Sequence, residues 1–466
     1  MIMGKDNNIE KCDILITYEI RNREIENLCL IKRELERRGY KVLFRMQYGT
    51  FFDTEKPVDA KVVVIPAYYR ERAKFYAASH TPQVNKLVNL QWEQVFSTTN
   101  EDNPDFLGSI KPWGRSAVHF SWGNQMHERL MKQWGVKDDH APVIGHVALD
   151  FLRGPLRNYY MSRDELFKKY NIPSNKKVHL FISSLSFVGG DKHVIKMSGN
   201  KNELHTAELL ADISINTRKA LMDWFEKALS ESEDDIIIYR PHPEETNCTE
   251  LNELASRVKN FYVISQESVK QWVLACDMIY NWMSTSVAEV YAAGKGCALL
   301  RPVEIPYELE FRLFIGAPFI TTYEDFYTEF RKSEQSMPIP EETISNYYKI
   351  DKDKYSYMLA CDMIEKVLKD DSYNLEEPLT NPFRKGGIFN KHRVGNFIKR
   401  CVASSSLMNK IHNGNAFKNT TFRELLDNVY YVKEKFERNY VPDEEINQIV
   451  SRIDAALNSE GGVSDL

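Results

Sequence analysis

The chain has 466 residues, too many for one ordinary hydrophobic core, and this length predicts two domains with an appendage. The net charge is −5, with 61 lysines and arginines against 66 aspartates and glutamates, which argues against a dedicated nucleic-acid-binding protein. An apolar fraction of 43% fits a globular enzyme. No apolar run approaches about 18 residues, so we expect no transmembrane helix.

The N-terminal residues and the cysteines both point to a cytoplasmic protein. The first residues lack a long apolar region before a cleavage site, so we expect no signal peptide. The seven cysteines are an odd number, are scattered, and form no C-x-x-C pair. This usage predicts buried, reduced thiols and neither a disulfide framework nor a zinc site.

Residues 10–150 alternate between apolar runs and helical patterns. Strands are predicted over residues 12–18, from 41, and over 61–65, 86–90 and 117–120, with helices over 23–38 and 70–79. Several of these strands are continuous apolar runs, which is typical of a parallel sheet covered on both faces. We expect a Rossmann-like domain here, followed by a charged linker over residues 151–175.

The alternation restarts over residues 176–345. Strands are predicted at 178–183, 235–239, 261–264, 277–280 and 297–300, with helices between them. The sequence therefore predicts an α/β protein with two Rossmann-like domains facing each other across a cleft. Residues 355–466 form a mostly helical C-terminal extension.

Two strand ends in the second domain carry polar motifs. One strand runs into Arg240 and then His242, which is held between Pro241 and Pro243. The next motif is the hydroxyl turn Ser284, Thr285 and Ser286, which opens a helix. Ligands of open α/β sheets bind at the carboxyl ends of the strands, and a helix start favours phosphate. The two ends together predict an anion site, most simply for a nucleotide phosphate.

Each of these motifs also has a structural interpretation. His242 could donate to a phosphoryl oxygen of a leaving nucleotide, whereas a lone histidine is usually structural. Ser286 and Glu289 fit a capping box, an interpretation compatible with phosphate binding, and Gly294 should end the helix. Asp351 and Asp353 form a D-x-D pair in a polar run, which we interpret as a solvated loop, so no metal and no cofactor are expected.

Two carboxylates of the first domain are candidates for a general base. Glu19 and Glu93 each follow a predicted strand and could deprotonate an acceptor hydroxyl. Each, taken alone, is more often a helix-start carboxylate.

The segment 378–423 differs in composition from the rest of the chain. It has nine lysines and arginines, interleaved aromatic and aliphatic residues, and no aspartate or glutamate. Such a segment can lie on an anionic membrane surface. Alternatively it is a solvated basic face that packs on the acidic remainder of the chain.

The motifs RPHPEE and STSVAEVYAAGKG resemble those of GT-B glycosyltransferases of bacterial surface polysaccharide biosynthesis. That group includes capsule Kdo transferases, polysialyltransferases and CDP-glycerol glycerophosphotransferases. The segments DILITYEIRNREIENLCLIKRELERRGYKV and VIGHVALD are similar to proteins of surface carbohydrate biosynthesis. The resemblance spans about residues 10–300, and the acidic catalytic motif of the family has no clear match.

The resemblance implies that residues 10–150 form the acceptor-side domain and residues 176–345 the nucleotide-donor domain, and it implies roles for residues of the second. His242 and Pro243, with Ser284, Thr285 and Ser286, would contact the donor phosphate, Glu289 would lie beside the nucleotide sugar, and Arg240 matches an arginine that often precedes the His-Pro pair. The implied protein is a metal-independent transferase with a CMP- or CDP-linked donor and a glycan or lipid-linked acceptor. It would be cytoplasmic, and peripheral on the inner face of the plasma membrane if segment 378–423 docks there. Two alternatives stay open, namely a nucleotide-sugar epimerase or hydrolase on the same fold, and a non-catalytic polysaccharide-assembly protein.

Overall fold

The computed structural model describes residues 9–49, 57–68, 72–104, 110, 112–188, 201–245, 248–383, 391–414 and 420–459. The chain forms two compact units. The first consists of Met1–Gln94, Pro104–Ala148 and Lys349–Asp454. The second consists of Val95–Asn103, Leu149–Tyr348 and Ala455–Leu466.

The first unit is built on a five-stranded parallel sheet with the order β2-β1-β3-β5-β6. The first six strands of the chain are β1 (Lys11–Tyr18), β2 (Val42–Met46), β3 (Asp59–Ile65), β4 (Gln83–Val84), β5 (Leu87–Asn89) and β6 (Val118–His119). The predicted strands of this region are therefore confirmed, with boundaries that shift by at most two residues. The short strand β4 lies outside this sheet.

The second unit is built on a six-stranded parallel sheet with the order β12-β11-β10-β7-β8-β9. Its strands are β7 (Lys177–Ile182), β8 (Asp235–Arg240), β9 (Phe261–Val263), β10 (Met278–Asn281), β11 (Ala298–Leu300) and β12 (Phe319–Ile320). The last strand, β13 (Leu379–Thr380), pairs antiparallel with β4 in the first unit. All five strands predicted for the second domain are present.

The α-helices of the described residues follow the predicted alternation and then fill the C-terminal part of the chain. They are α1 (Arg21–Arg37), α2 (Arg72–Ser79), α3 (Thr98–Asp102), α4 (Asn124–Glu128), α5 (Arg163–Lys169), α6 (Lys201–Ser230), α7 (Thr249–Arg257), α8 (Val269–Ala275), α9 (Val287–Ala292), α10 (Tyr323–Phe330), α11 (Glu341–Tyr347), α12 (Ser356–Lys369), α13 (Lys391–Ser404), α14 (Ser406–Asn413), α15 (Thr421–Asn439) and α16 (Asp443–Asn458).

The central strands of both sheets are buried on both faces. In β8 the residues Ile236, Ile237, Ile238 and Tyr239 are all at most 1% exposed, although successive side chains of a strand point to opposite faces. This pattern confirms that the continuous apolar runs mark strands covered on both sides. Because both faces of each sheet are covered, a ligand can reach the sheet at the carboxyl ends of its strands.

Helix α12 returns the chain to the first unit and completes its core. Its residues Ala360, Cys361 and Ile364 are fully buried, and the Cys361 thiol donates to the carbonyl of Ile31 in α1. Arg38, just after α1, donates to carboxylates of α12 at 2.8 and 3.0 Å.

All seven cysteines are free, and five of them are buried, as the sequence predicted. Cys248 is half-buried, and Cys401 is exposed on α13, in contrast to that prediction.

Candidate functional site

Three adjacent strand ends of the second sheet bring the predicted motifs to one edge. Strand β7 lies between β8 and β10, and Ile182 at its end pairs with both Arg240 and Asn281. The His242 segment and the hydroxyl turn therefore leave the sheet at the same level, on either side of the end of β7. The sequence analysis did not assign a role to Ser183 and Ser184, which occupy that middle position.

The middle strand end is hydrogen-bonded to both neighbours. The Ser183 N–H donates to the carbonyl of Arg240 at 3.0 Å. The Ser184 hydroxyl accepts the N–H of Met283 at 3.1 Å, just before the hydroxyl turn. A pair of serines directly after a buried strand was the available sequence signal for these contacts.

His242 is fixed through its backbone and one ring nitrogen. Its ring Nδ1 accepts the N–H of Glu244 at 3.2 Å, and its own N–H donates to Glu245 Oε2 at 3.3 Å. Burial lowers the pKa of His242, partly offset by the nearby Glu244 carboxylate, so the ring is neutral at pH 7. Because Nδ1 accepts, the proton of the neutral ring lies on Nε2. Among the described residues Nε2 has no hydrogen-bond partner.

Glu245 anchors the turn that carries His242. Its side chain is buried and accepts the hydroxyls of Ser183 at 2.6 Å and Tyr239 at 2.8 Å, in addition to the His242 N–H. Arg218 lies 3.6 Å away, and burial raises the pKa of the Glu245 carboxyl. Sequence reasoning missed this role, although Glu245 is the last residue of the motif RPHPEE. The exposed Pro243 lies between His242 and this anchor and restricts the backbone.

The hydroxyl turn is held by an asparagine at the end of β10. Asn281 accepts the N–H of Ser284 at 2.7 Å and donates to its carbonyl at 3.0 Å. The Ser284 hydroxyl accepts the N–H of Ser286 at 3.2 Å. Ser284 is thus oriented from both sides, while Thr285 is exposed.

The predicted capping box between Ser286 and Glu289 is wrong. Ser286 has helical backbone angles, with φ −61° and ψ −5°, and its side chain makes no capping hydrogen bond. The helical turn begins earlier, because the N–H groups of Val287 and Ala288 donate to the carbonyls of Ser284 and Thr285. Ser284 therefore caps the turn in place of Ser286.

Glu289 and Gly294 follow on helix α9. Burial raises the pKa of the half-buried Glu289 carboxyl, and the charge of Lys270 opposes that rise. Gly294 has φ +70°, and the N–H of Lys295 donates to the carbonyl of Val290. The predicted glycine end of this helix is confirmed.

Arg240 holds a neighbouring loop. Its Nη1 and Nη2 donate to the carbonyls of Gln266 at 2.7 Å and Glu267 at 2.5 Å. Glu267 has φ +63°, a left-handed conformation that is costly for a non-glycine residue, and its carboxylate accepts from Lys169 at 2.5 Å. Burial lowers the pKa of Arg240 to about 10, so it stays charged at pH 7. Its role in donor binding stays a prediction.

Glu19 is tied to neighbours within the first unit. Its Oε1 accepts the Tyr48 hydroxyl at 2.9 Å and the Lys435 ammonium at 2.5 Å. Burial opposes ionisation, but the Lys435 charge and these hydrogen bonds outweigh it and hold the pKa of Glu19 below its usual range.

Glu93 has a half-exposed side chain and an ion pair with Arg23 at 2.8 Å. It follows β5 after Gln91, whose φ of +49° is left-handed and whose amide donates to the Glu93 carbonyl at 3.0 Å. Left-handed non-glycine residues such as Gln91 are often found at functional sites, so this backbone conformation is compatible with a functional role for the neighbouring Glu93.

Asp351 and Asp353 lie in a solvent-facing bend of the first unit, as predicted. The Asp351 carboxylate accepts the N–H groups of Asp353 and Lys354 at 2.9 and 3.0 Å. Its oxygens thus stabilise the local turn, which is an ordinary structural use of aspartate.

No family model matches the chain, and no curated protein sequence matches it. Solved structures match by fold. The wall teichoic acid polymerase TagF is 14% identical, with 78% of this chain and 91% of that chain covered and a TM-score of 0.50. A variant of the same polymerase is 13% identical over the same shares, with a TM-score of 0.51. The UDP-GlcNAc 2-epimerase of Methanocaldococcus jannaschii, in complex with UDP-GlcNAc and UDP, is 11% identical over 72% of this chain and 97% of that one, with a TM-score of 0.42.

Two parallel sheets, each covered by helices, and the similarity to the TagF polymerase define a GT-B-like fold. The resemblance to GT-B enzymes seen in the sequence motifs is thereby confirmed at the level of the fold. At 13–14% identity the similarity does not extend to a substrate.

Proposed function

We propose that the chain is a GT-B transferase that moves a sugar or a polyol phosphate from a nucleotide-activated donor to a surface-polysaccharide or lipid-linked acceptor. The single observation that carries the proposal is the neutral, fixed His242 just past the end of β8. Its Nε2–H is a hydrogen-bond donor with no partner among the described residues. A fold shared with a wall teichoic acid polymerase supports the same class of reaction.

The proposed donor is CMP- or CDP-linked, a preference that rests on the resemblance to sialyl-, Kdo- and glycerophosphotransferases. With a CMP-sugar the bond from the anomeric carbon to the phosphate oxygen breaks, and with a CDP-polyol the pyrophosphate bond breaks. In both reactions the leaving group is CMP, whose phosphate oxygen gains negative charge as the bond breaks. The Nε2–H of His242 is suited to donate to that oxygen without itself carrying a charge.

The hydroxyl turn is proposed to bind the same phosphate. Asn281 and the Ser284 side chain fix the turn, so its hydroxyl and N–H groups need little reorganisation when a phosphate binds. Thr285 is exposed and offers a further hydroxyl. Glu289 is proposed to lie beside the nucleotide sugar, where a carboxyl with a raised pKa could accept or donate a hydrogen bond. This set of groups needs no metal ion.

An acceptor hydroxyl must lose a proton when it attacks, and Glu93 is the better of the two candidate bases. Its side chain is half exposed and, among the described residues, forms an ion pair with Arg23. Glu19 accepts from both Lys435 and Tyr48, which stabilise its carboxylate and make it a weaker base.

Nucleotide release with and without acceptor tests the proposed function. Wild-type protein should release CMP from a CMP- or CDP-linked donor only when a glycan or lipid-linked acceptor is present. Acceptor-independent release of CMP would indicate the hydrolase alternative. An epimerase would instead convert the donor into its epimer with no net release of nucleotide. Neither release nor conversion of any donor would favour a non-catalytic assembly protein.

A thermal-unfolding screen against CMP, CDP, UDP and GDP tests the nucleotide preference separately. A ligand at about 100 times its dissociation constant stabilises the folded protein by about 2.7 kcal/mol. The cytidine nucleotides should give the largest shifts, and a larger shift with UDP or GDP would contradict the proposed donor.

A further inference from the structure

Helix α13 directs its large apolar side chains outward. Val394, Phe397 and Ile398 are 42%, 60% and 55% exposed, and their spacing puts them on one face of the helix. Over residues 394–404 of the same helix, the buried positions are Asn396 and Ala403. An ordinary surface helix of a globular protein has the opposite arrangement, with its apolar stripe towards the core.

The two following helices continue this pattern. Leu407 on α14 is 60% exposed and Leu425 on α15 is 62% exposed, while Leu426 and Tyr430 of α15 are buried. Helices α13, α14 and α15 contact one another. We call Val394, Phe397, Ile398, Leu407 and Leu425 the outward apolar set.

The outward apolar set is concentrated in one part of the chain. Seven of the twelve exposed large apolar side chains among the described residues lie between positions 394 and 431. Scattered exposed apolar residues are normal, but a concentration of them marks an interaction surface. In the described part of the chain no helix is both long and apolar enough to cross a membrane.

The charge of the same segment is strongly positive. Residues 378–423 contain nine lysines and arginines and no acid. Helix α15 then carries Glu424 and Asp427, and the Asp427 carboxylate pairs with Arg423 at 2.8 Å and contacts the His412 ring at 2.9 Å. Positive charge next to outward apolar side chains is complementary to a surface of anionic headgroups over acyl chains.

We propose that helices α13, α14 and α15 dock on an anionic lipid membrane, with the outward apolar set entering the headgroup boundary and Lys399, Arg400 and Lys410 facing the phosphates. Shallow insertion suits these helices because their apolar side chains are many and exposed but their polar residues prevent spanning. Docking goes beyond the proposed transfer reaction, and it can be measured without donor or acceptor.

Flotation with vesicles tests the apolar part of the proposal. The full-length protein should float with vesicles of phosphatidylcholine mixed with phosphatidylglycerol. The triple variant Phe397→Ser, Ile398→Ser, Leu407→Ser should lower the partition coefficient by at least about tenfold. Each substitution removes several apolar carbon atoms from the membrane interface. The matched control is Leu209→Ser, Ile215→Ser, which removes exposed apolar side chains from α6 and should leave flotation unchanged.

Charge reversal tests the electrostatic part. Lys399→Glu, Arg400→Glu should weaken binding by about fivefold for each charge removed, and added salt should release the wild-type protein. Circular dichroism and thermal unfolding should match the wild type for every variant. Equal binding to pure phosphatidylcholine vesicles, or unchanged flotation of the serine variant, would overturn the proposal.

A second copy of the chain is the main alternative occupant of this surface. In that case sedimentation equilibrium would show a wild-type dimer that the serine variant converts to a monomer, with no vesicle binding by either. That result would overturn membrane docking and would leave the proposed transferase activity untouched.

Discussion

His242 has one ring nitrogen occupied by a backbone N–H, so that its other nitrogen is the donor. The ring is neutral because burial lowers its pKa, and its backbone is restricted by the prolines on either side. A donor fixed in this way is worth most where charge develops on a leaving group, since no reorganisation is needed during the reaction.

We expect His242→Ala to lower the turnover number by a factor of about 100 to 1,000, because one donor to the leaving phosphate is lost. Steady-state release of CMP from the donor measures the effect. The matched control is His205→Ala, which removes an exposed histidine from α6 of the same unit. If the His242 variant turned over at nearly the wild-type rate, the histidine would be structural.

Glu93 and Glu19 should respond differently to the same substitution. Glu93→Gln should lower turnover by about 100- to 10,000-fold with unchanged stability, since a half-exposed base is lost. Glu19→Gln should instead lower the free energy of unfolding by about 1–3 kcal/mol, because Lys435 loses its partly buried partner. Turnover and urea unfolding separate the two effects, and reversed outcomes would make Glu19 the base.

At the scale of elements, the strands and their ends could be predicted from apolar runs in the sequence. The run Ile236, Ile237, Ile238 predicted β8, and the motif after it marked the strand end correctly. The capping box failed because the turn before α9 is organised by Asn281, a residue whose contacts depend on turn geometry. Glu245 was missed because its partners come together only when β7 and β8 pair: Ser183 directly follows β7 and Tyr239 lies on β8. A local sequence motif does not show which strands pair.

The loop after β6 provides a prediction about an element. Gly145 has φ +82°, and a Cβ there would lie 2.5 Å from the Ser356 hydroxyl and 2.6 Å from the Lys349 carbonyl. Gly145→Ala should therefore lower the free energy of unfolding by more than the cost of about 1 kcal/mol expected from backbone strain alone. Gly39→Ala is the matched control, since φ is +93° but no atom lies within 4 Å of its Cβ. Equal losses in the two variants, measured by urea unfolding, would contradict the steric argument.

At the scale of the whole molecule, the sequence predicted two α/β halves, and both sheets are present. It did not indicate that residues 349–454 pack with the N-terminal unit. Buried positions of α12 such as Ala360 and Ile364 have the spacing of any amphipathic helix, and that spacing does not say which surface the helix covers.

Buried histidines should make the molecule sensitive to acid. Burial lowers the pKa of both His80 and His119 to about 4, so each is neutral in the folded state. The unfolded chain takes up these protons below about pH 6.5, hence stability is lost as the pH falls from about 6.5 towards 4, by up to about 1.4 kcal/mol per pH unit for each histidine. Urea unfolding across this range measures the slope.

His119→Gln tests this origin of the acid sensitivity. The glutamine amide can still donate to the Gly114 carbonyl, which His119 Nε2 contacts at 2.9 Å, but it does not titrate. The variant should show a shallower pH dependence above about pH 5, where carboxylates contribute little. An unchanged slope would show that other groups cause it.

Because α12 belongs to the first unit, the core of that unit can be completed only late in synthesis of the chain. The apolar face of α1 leaves the ribosome early, but the helix that covers it ends about 330 residues later. At about 5–20 residues per second, that interval is roughly 15–70 s. During this time the second sheet, whose strands are nearly contiguous in the chain, can form completely. The N-terminal half of the nascent chain would therefore mature last and would depend most on chaperones during synthesis.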